Sequence, residues 1–239
     1  MRKLSCMIII GVMILICTSC GNNRECVANL NITNIRSTIP KVALTFDDGP
    51  SRQYTEKLLE GLKERNVKAT FFVLGENIDE HEDIIKRMSD EGHLIGNHTY
   101  HHVNLKKTDF NSACEEISKT NEKIEKITGK KMEYIRPPFG EWNEKLLKET
   151  DMSVVLWSVD PFDWKDQNTS IVTERILREA KNGAIILLHD IFKTSVEAAL
   201  NIVDELKRRG FHFVTVDQIE SEKIVHGKVS NPVYENDFK

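Results

Sequence analysis

The sequence predicts an α/β domain built on a parallel β-sheet. From Pro40 onward, short runs of β-branched and other apolar residues alternate with longer amphipathic runs, which is typical of repeating βα units. About seven strands are predicted, slightly few for a complete eight-fold barrel, so the pattern alone leaves a doubly wound open sheet as the alternative. In either architecture, functional residues are expected just past the carboxyl ends of the strands.

The individual elements follow from run length and periodicity. The predicted strands are Val42–Phe46, Ala69–Leu74, Leu94–Gly96, Tyr134–Arg136, Ser153–Trp157, Ala184–Leu188 and His212–Val216. The predicted helices between them are Gln53–Arg65, Ile78–Glu91, Phe110–Thr128, Asn143–Glu149, Ile171–Lys181 and Ser195–Arg209. Gly210 then ends the last helix.

The bulk composition fits a single globular domain. The chain has 239 residues, of which 40% are hydrophobic and 29% are charged, enough apolar material for one sizeable core. Its formal net charge of −4 does not match the basic footprint of a nucleic-acid-binding protein. We therefore expect one domain over residues 39–220, followed by a polar tail over residues 221–239.

The N-terminal segment differs from the rest of the chain. Two basic residues precede an apolar run over residues 7–17, which has the length of a signal-peptide core and is short for a membrane span. The small residues before Cys20 resemble a bacterial lipoprotein signal, although Cys17 stands where that pattern prefers Leu. We expect a signal peptide over residues 1–20, a tether over residues 21–38, and a lipid at Cys20 that anchors the protein in the cell envelope. An uncleaved N-terminal anchor is the alternative.

Two cysteines remain beyond the predicted signal peptide and its lipidation site. Cys26 and Cys114 leave a disulfide open in an oxidising compartment, but two cysteines do not make a disulfide framework. No CxxC spacing occurs after the signal, so thiolates are poor candidates as metal ligands.

The first chemical motif follows the first predicted strand. Asp47 and Asp48 are adjacent carboxylates whose side chains diverge, so one can bind a metal while the other deprotonates a water. The Gly49-Pro50 step that follows forces a turn and keeps both near the sheet edge. The alternative is a plain Asp-Gly turn that caps the next helix.

The second motif contains three of the histidines. His98 and His102 lie four residues apart after the third predicted strand, a spacing that can bring both imidazoles to one side of a helical turn. Imidazole is a common ligand for zinc, and with Asp48 the pair gives a two-nitrogen, one-carboxylate site that leaves positions open for water and substrate. The alternative is a surface histidine run.

Three further motifs follow later strands. Arg136 precedes two prolines that stiffen its loop, and it is predicted to pair with a catalytic carboxylate or with Asp163. Trp164 and its aromatic neighbours suit stacking on a sugar ring, or belong to the core. His189 has the ordinary pKa of a general acid near neutrality.

These five motifs, in this order, resemble those of the polysaccharide deacetylases with a NodB homology domain, carbohydrate esterase family 4. The resemblance covers roughly residues 40–217. It implies a distorted (β/α) barrel with about seven parallel strands and one divalent metal ion, usually Zn²⁺ and sometimes Co²⁺ or another ion.

The resemblance also assigns roles to individual residues. It implies Asp47 as general base, His189 as general acid, Arg136 as the residue that orients the base, and Asp163 as the acid that tunes this arginine. It implies a metal site of Asp48, His98 and His102. It further implies that Phe139, where many members have Tyr, donates a main-chain N–H to the oxyanion, that Trp164 lines the pocket, and that Leu187 shapes the pocket for the acetyl methyl group.

The function implied is removal of N-acetyl groups from a polymer that contains N-acetylglucosamine. Peptidoglycan is the expected substrate of an exported monomer, with chitin-like oligomers or an exopolysaccharide left open. A glycan O-acetyl esterase, for example on xylan, is one alternative. A catalytically silent sugar-binding module is the other.

Overall fold

The computed structural model describes residues 39–219, 221 and 223–225. The predicted signal peptide, the tether, Cys20, Cys26 and most of the predicted tail lie outside the described residues. Within the described part of the chain, Cys114 is a half-buried free thiol. No helix in that part is sufficiently long and apolar to cross a bilayer.

The strands form one curved sheet. The order through the sheet is β6-β1-β2-β3-β4-β5-β8, and β7 pairs with the first residues of β1. Strands β1 to β7 are parallel, whereas β8 runs antiparallel to β5. Their bounds are β1 Lys41–Asp47, β2 Thr70–Val73, β3 Leu94–Asn97, β4 Tyr134–Ile135, β5 Ser153–Val155, β6 Ala184–His189, β7 His212–Phe213 and β8 Ile224–Val225.

The sheet curls so that the chain after β5 reaches β6. Val159 forms a parallel bridge with Ile186, and the Leu187 N–H donates to the Val159 carbonyl over 3.0 Å. This contact makes the architecture a distorted (β/α) barrel, as the resemblance implied, and sets aside the open sheet.

Helices connect most of the strands. They are α1 Thr55–Glu64, α2 Glu82–Asp90, α3 Phe110–Thr128, α4 Glu144–Thr150, α5 Asp163–Asp166, α6 Thr169–Glu179 and α7 Lys193–Arg208, with 3₁₀ turns at Gly75–Asn77, Pro138–Gly140 and Val216–Gln218. The structure adds α5 and β8 to the predicted elements, because both are too short to show a period in the sequence.

The core has two layers, one on each face of the sheet. On β1, Val42, Leu44 and Phe46 pack in the outer layer with the helices, whereas Ala43 belongs to a smaller cluster inside the barrel. Because side chains alternate along a strand, Thr45 and Asp47 share the inner face with Ala43. The inner face of β1 thus changes from apolar to charged toward its carboxyl end, where the site lies.

Candidate active site

A buried ion pair lies at the carboxyl end of β1. Arg136 is fully buried and donates from Nη1 to Asp47 Oδ1 over 2.8 Å and to Thr45 Oγ1 over 2.7 Å. Its Nε and Nη2 donate to backbone carbonyls at the end of β5, each over 3.2 Å. The guanidinium also lies 4.3 Å over the ring of Phe72. These contacts fix both Arg136 and the carboxylate that it binds.

Three side chains from two strand ends meet beside this pair. Asp48 Oδ1 lies 3.4 Å from His98 Nε2 and 3.6 Å from His102 Nε2. Asp48 Oδ1 is buried and has no hydrogen-bond partner among the described residues. Two ligand atoms of a tetrahedral zinc ion lie about 3.4 Å apart, so the spacing and the unpartnered oxygen both fit a shared divalent ion.

The surroundings shift the pKa values of Asp48 and His102 in the direction that favours metal binding. Burial raises the pKa of Asp48, but the close approach of His98 and the positive charges that His98, His189 and His102 carry when protonated outweigh burial and lower it. Burial, followed by the charge of His98, lowers the pKa of His102. His98 Nδ1 donates to the Arg136 carbonyl over 2.6 Å, and this hydrogen bond orients the ring with Nε2 toward Asp48. The site thus brings one carboxylate oxygen and two imidazole nitrogens within 4.8 Å of one another, a donor set that a divalent ion can bind.

A second buried pair lies at the carboxyl end of β6. His189 donates from Nδ1 to Asp163 Oδ1 over 2.9 Å and from its backbone N–H to Asp163 Oδ2 over 2.8 Å. Ser195 Oγ donates to the same Oδ2 over 2.6 Å. The free Nε2 of His189 lies 4.0 Å from Asp48 Oδ2, so this pair borders the candidate metal site.

The Asp163 carboxylate controls the charge of His189. Burial lowers the pKa of His189, but the hydrogen bond and charge of Asp163, together with the charges of Asp47 and Asp48, raise it to about 9. In this arrangement the imidazole carries its proton at neutral pH.

The predicted pairing of Asp163 with Arg136 is not found. Asp163 is the first residue of α5, and both of its carboxylate oxygens accept hydrogen bonds from His189 or Ser195. The carboxylate partner of Arg136 is Asp47. The sequence order of the motifs does not reveal which strand ends are neighbours in the curved sheet, and β6 lies beside β1.

Comparison with known proteins identifies the family. Residues 35–155 match the family model for polysaccharide deacetylase. The chain is 40% identical over 189 residues to a peptidoglycan-N-acetylmuramic acid deacetylase, PdaA of Bacillus subtilis, with 76% of this chain and 72% of that protein covered. This chain belongs to the polysaccharide deacetylase family.

Other members of the family extend the likeness. Over 191 residues the chain is 41% identical to the peptidoglycan-N-acetylglucosamine deacetylase PgdA of Listeria monocytogenes, covering 80% of this chain. The match spans only 41% of the length of that relative. The structure of the peptidoglycan deacetylase PdaC from Bacillus subtilis superimposes with a TM-score of 0.74 at 40% identity, covering 76% of this chain and 90% of that one.

Of the three residues expected in the pocket, Phe139 and Leu187 lie beside the site, and Trp164 follows Asp163 in the chain. The ring of Phe139 is 64% exposed and stands edge-on to the His102 ring at 4.8 Å. Trp164, in α5, is 49% exposed. Leu187 is buried and lies opposite Thr45 in the β-sheet register, on the same face of β6 as His189.

Asp190 has no role among the sequence-based predictions. It lies next to Gly49, the residue that follows the candidate ligand Asp48. Thr55 Oγ1 donates to Asp190 Oδ2, while Oδ1 is buried without a partner among the described residues. Burial raises the pKa of Asp190 to about 7. A Cβ at Gly49 would come within 2.4 Å of Asp190 Oδ1, so the close approach explains the glycine after Asp48.

The signal for Asp190 is present in the sequence but ambiguous. It follows His189 directly, but residue order alone does not indicate whether a carboxylate at this position turns into the site or packs beneath the turn at Gly49. Ser195 gave no signal at all, because a serine in the first turn of a helix is ordinary.

Proposed function

We propose that this protein is a metal-dependent hydrolase that removes N-acetyl groups from peptidoglycan. One observation carries the proposal. A carboxylate bound to a buried arginine and an imidazole bound to a buried aspartate both border a triad of Asp48, His98 and His102. A base, an acid and a metal site are the three components that metal-assisted amide hydrolysis requires.

Asp48, His98 and His102 would hold the ion. Zn²⁺ is the first expectation from one carboxylate and two imidazoles, and Co²⁺ is compatible with the same ligands. When bound, the ion supplies Lewis acidity for the acetyl carbonyl and lowers the pKa of a nearby water.

Asp47 would act as the general base. Arg136 binds its Oδ1, which leaves Oδ2 toward the ligand residues, 3.8 Å from His98 Nε2. A water between Asp47 and the acetyl carbon would give its proton to Oδ2 as it attacks. Arg136 would orient this base through its hydrogen bond to Oδ1.

His189 would act as the general acid. Its proton is held on Nε2 by the Asp163 carboxylate bound at Nδ1, and it would pass to the nitrogen of the leaving amino sugar. The Phe139 N–H would stabilise the oxyanion. The ring of Phe139 stands edge-on to His102, which places this residue beside the candidate metal site. Leu187 would enclose the acetyl methyl group, and Trp164 would stack on the sugar.

Relatives support peptidoglycan but differ in the sugar. The Listeria protein is named for N-acetylglucosamine and PdaA of Bacillus subtilis for N-acetylmuramic acid, at nearly equal identity to this chain. We propose N-acetylglucosamine as the first sugar to test, with N-acetylmuramic acid as the second.

Acetate release tests the proposal. The full-length protein is treated with a chelator, reconstituted with Zn²⁺ or Co²⁺, and incubated with peptidoglycan, chitin oligomers and acetylated xylan. We expect release from peptidoglycan that requires the metal and disappears in Asp47→Ala. Release from acetylated xylan alone would favour the O-acetyl esterase, and binding of glycan without release from any substrate would favour a silent sugar-binding module.

We further propose a lipid anchor at Cys20 in the cell envelope and a monomeric protein. The protein made in a bacterial host should carry diacylglycerol at Cys20, which mass spectrometry would detect as added mass. The Cys20→Ala variant should lack this added mass. An unmodified wild-type mass would reject the anchor. Light scattering tests the monomer.

A further inference from the structure

The loop that carries both histidine ligands has an unusual backbone. Thr99 has a φ of 66° and His102 a φ of 56°, both in the left-handed region that residues with a side chain rarely adopt. Such residues persist only where the surrounding structure over-determines them. The position of His102 relative to Asp48 therefore depends on contacts outside the ligands themselves.

Glu116, in α3, provides such contacts. Its Oε2 accepts the backbone N–H groups of Tyr100 over 3.0 Å and of His101 over 2.7 Å. Its Oε1 accepts from His101 Nδ1 over 2.7 Å. The Glu116 side chain is only 14% exposed, so the carboxylate itself is largely shielded from water. Lys119, from the next turn of α3, lies 3.6 Å over the ring of Tyr100.

The two backbone donors lie between the two left-handed residues. Consecutive N–H groups that converge on one oxygen form an anion-binding nest, and the bound oxygen fixes the backbone angles on both sides of it. Charge-assisted hydrogen bonds of this kind are about twice as strong as neutral ones. The contact with the His101 ring adds less, since that ring is 54% exposed and water competes for it.

We propose that Glu116 is a positioning residue for the metal site: it holds the segment between His98 and His102 in the conformation that brings both imidazoles to Asp48. The inference rests on the proposed function, because it assumes that these three residues bind a metal. Glu116 does not touch the ion or the substrate, so it acts through the loop.

The test measures metal affinity rather than catalysis. The full-length wild-type protein and its variants, freed of metal, compete for Zn²⁺ with a chromophoric chelator. We expect Glu116→Ala to bind Zn²⁺ about 10- to 100-fold more weakly, the range found when groups that orient ligands are removed. The visible spectrum of the Co²⁺ form should also change, because it reports the arrangement of the ligands.

Two variants separate positioning from general effects of charge or helix stability. Glu116→Gln should bind Zn²⁺ more tightly than Glu116→Ala and less tightly than the wild type, since the amide oxygen still accepts both N–H groups but without the charge that strengthens these hydrogen bonds. Glu115→Ala removes the neighbouring exposed carboxylate of α3 and should leave the affinity unchanged.

The outcomes are distinguishable. Equal Zn²⁺ affinity and equal Co²⁺ spectra in Glu116→Ala and the wild type would overturn the inference while leaving the proposed function intact. A wild-type protein that binds neither ion would refute the proposed function itself. If Glu116→Ala does not fold, Glu116→Asp decides the matter: one methylene shorter, it should weaken Zn²⁺ binding in a folded metal-free protein, and unchanged binding would overturn the inference.

Discussion

The two sides of the candidate site use opposite charges for the same purpose. At the end of β1, the carboxylate of Asp47 is bound by a fully buried arginine. At the end of β6, the imidazole of His189 is bound by a fully buried aspartate. Asp47 and His189 lie directly opposite each other in the β1–β6 register, so two adjacent strands present both.

Under the proposed roles, this difference would let one fold keep a base and an acid side by side. A buried cation favours the ionised form of a carboxylate, and a buried anion favours the protonated form of an imidazole. The partner behind each residue, rather than the residue itself, therefore assigns its task.

The largest loss is expected on the base side. Asp47→Asn keeps an oxygen that accepts the hydrogen bond from Arg136, so the protein should stay folded, but the amide cannot take a proton. We expect kcat for acetate release to fall by about 10³-fold or more. Circular dichroism and Zn²⁺ affinity serve as controls; kcat within tenfold of wild type would remove Asp47 from the role of base.

Loss of the acid should depend on the leaving group. His189→Ala should lower kcat for an N-acetyl substrate by about 10²- to 10³-fold. An O-acetyl substrate of the same sugar should lose less, because an alcohol leaves with less need of protonation than an amine. Equal losses on both substrates would indicate that His189 acts in binding rather than in proton delivery.

Removal of the buried anion should shift the pH profile. An acid is active while protonated, so activity persists below the pKa of His189 and declines as the pH rises through it. In the wild type this decline should lie at or below about pH 9, since the positive charge of a bound ion can only lower that pKa. Asp163→Asn removes the hydrogen bond and the charge that raise it, so the decline should move at least one pH unit lower.

A matched control lies on the same short helix. Asp166 pairs with Arg175 at the end of α5, and Asp166→Asn should leave the pH profile unchanged. Identical profiles for Asp163→Asn and the wild type would contradict the assignment of Asp163 as the partner of His189.

The smallest effect is expected at Ser195. Ser195→Ala removes one of three donors to Asp163 and should lower the free energy of unfolding by about 1–2 kcal/mol, measured in urea. With one donor fewer, Asp163 attracts the His189 proton more strongly, so the alkaline decline should move slightly upward. A downward shift would mean that Ser195 acts on His189 by another route.

Much of the fold was predictable from the sequence between Val42 and Phe213. In that region the strands carry short apolar runs and the helices carry longer amphipathic runs, so run length distinguishes the two. The candidate metal site was predictable for a related reason: Asp48, His98 and His102 follow strands of one parallel sheet, whose carboxyl ends meet at one edge. The partner of Asp163 was predicted wrongly, since nothing in the order of the motifs indicates that α5 lies against β6.

The sequence by itself determined the alternation of strands and helices, the chemical groups at the strand ends and the family to which they belong, because these depend on local periodicity and residue type. Only the tertiary structure decided that Asp163 binds His189 and that Glu116 accepts hydrogen bonds from the backbone between His98 and His102, and it supplied the contact between Arg136 and Asp47 that the resemblance implied. These pairings join residues that are separated in the chain, and the curvature of the sheet brings them within hydrogen-bond distance.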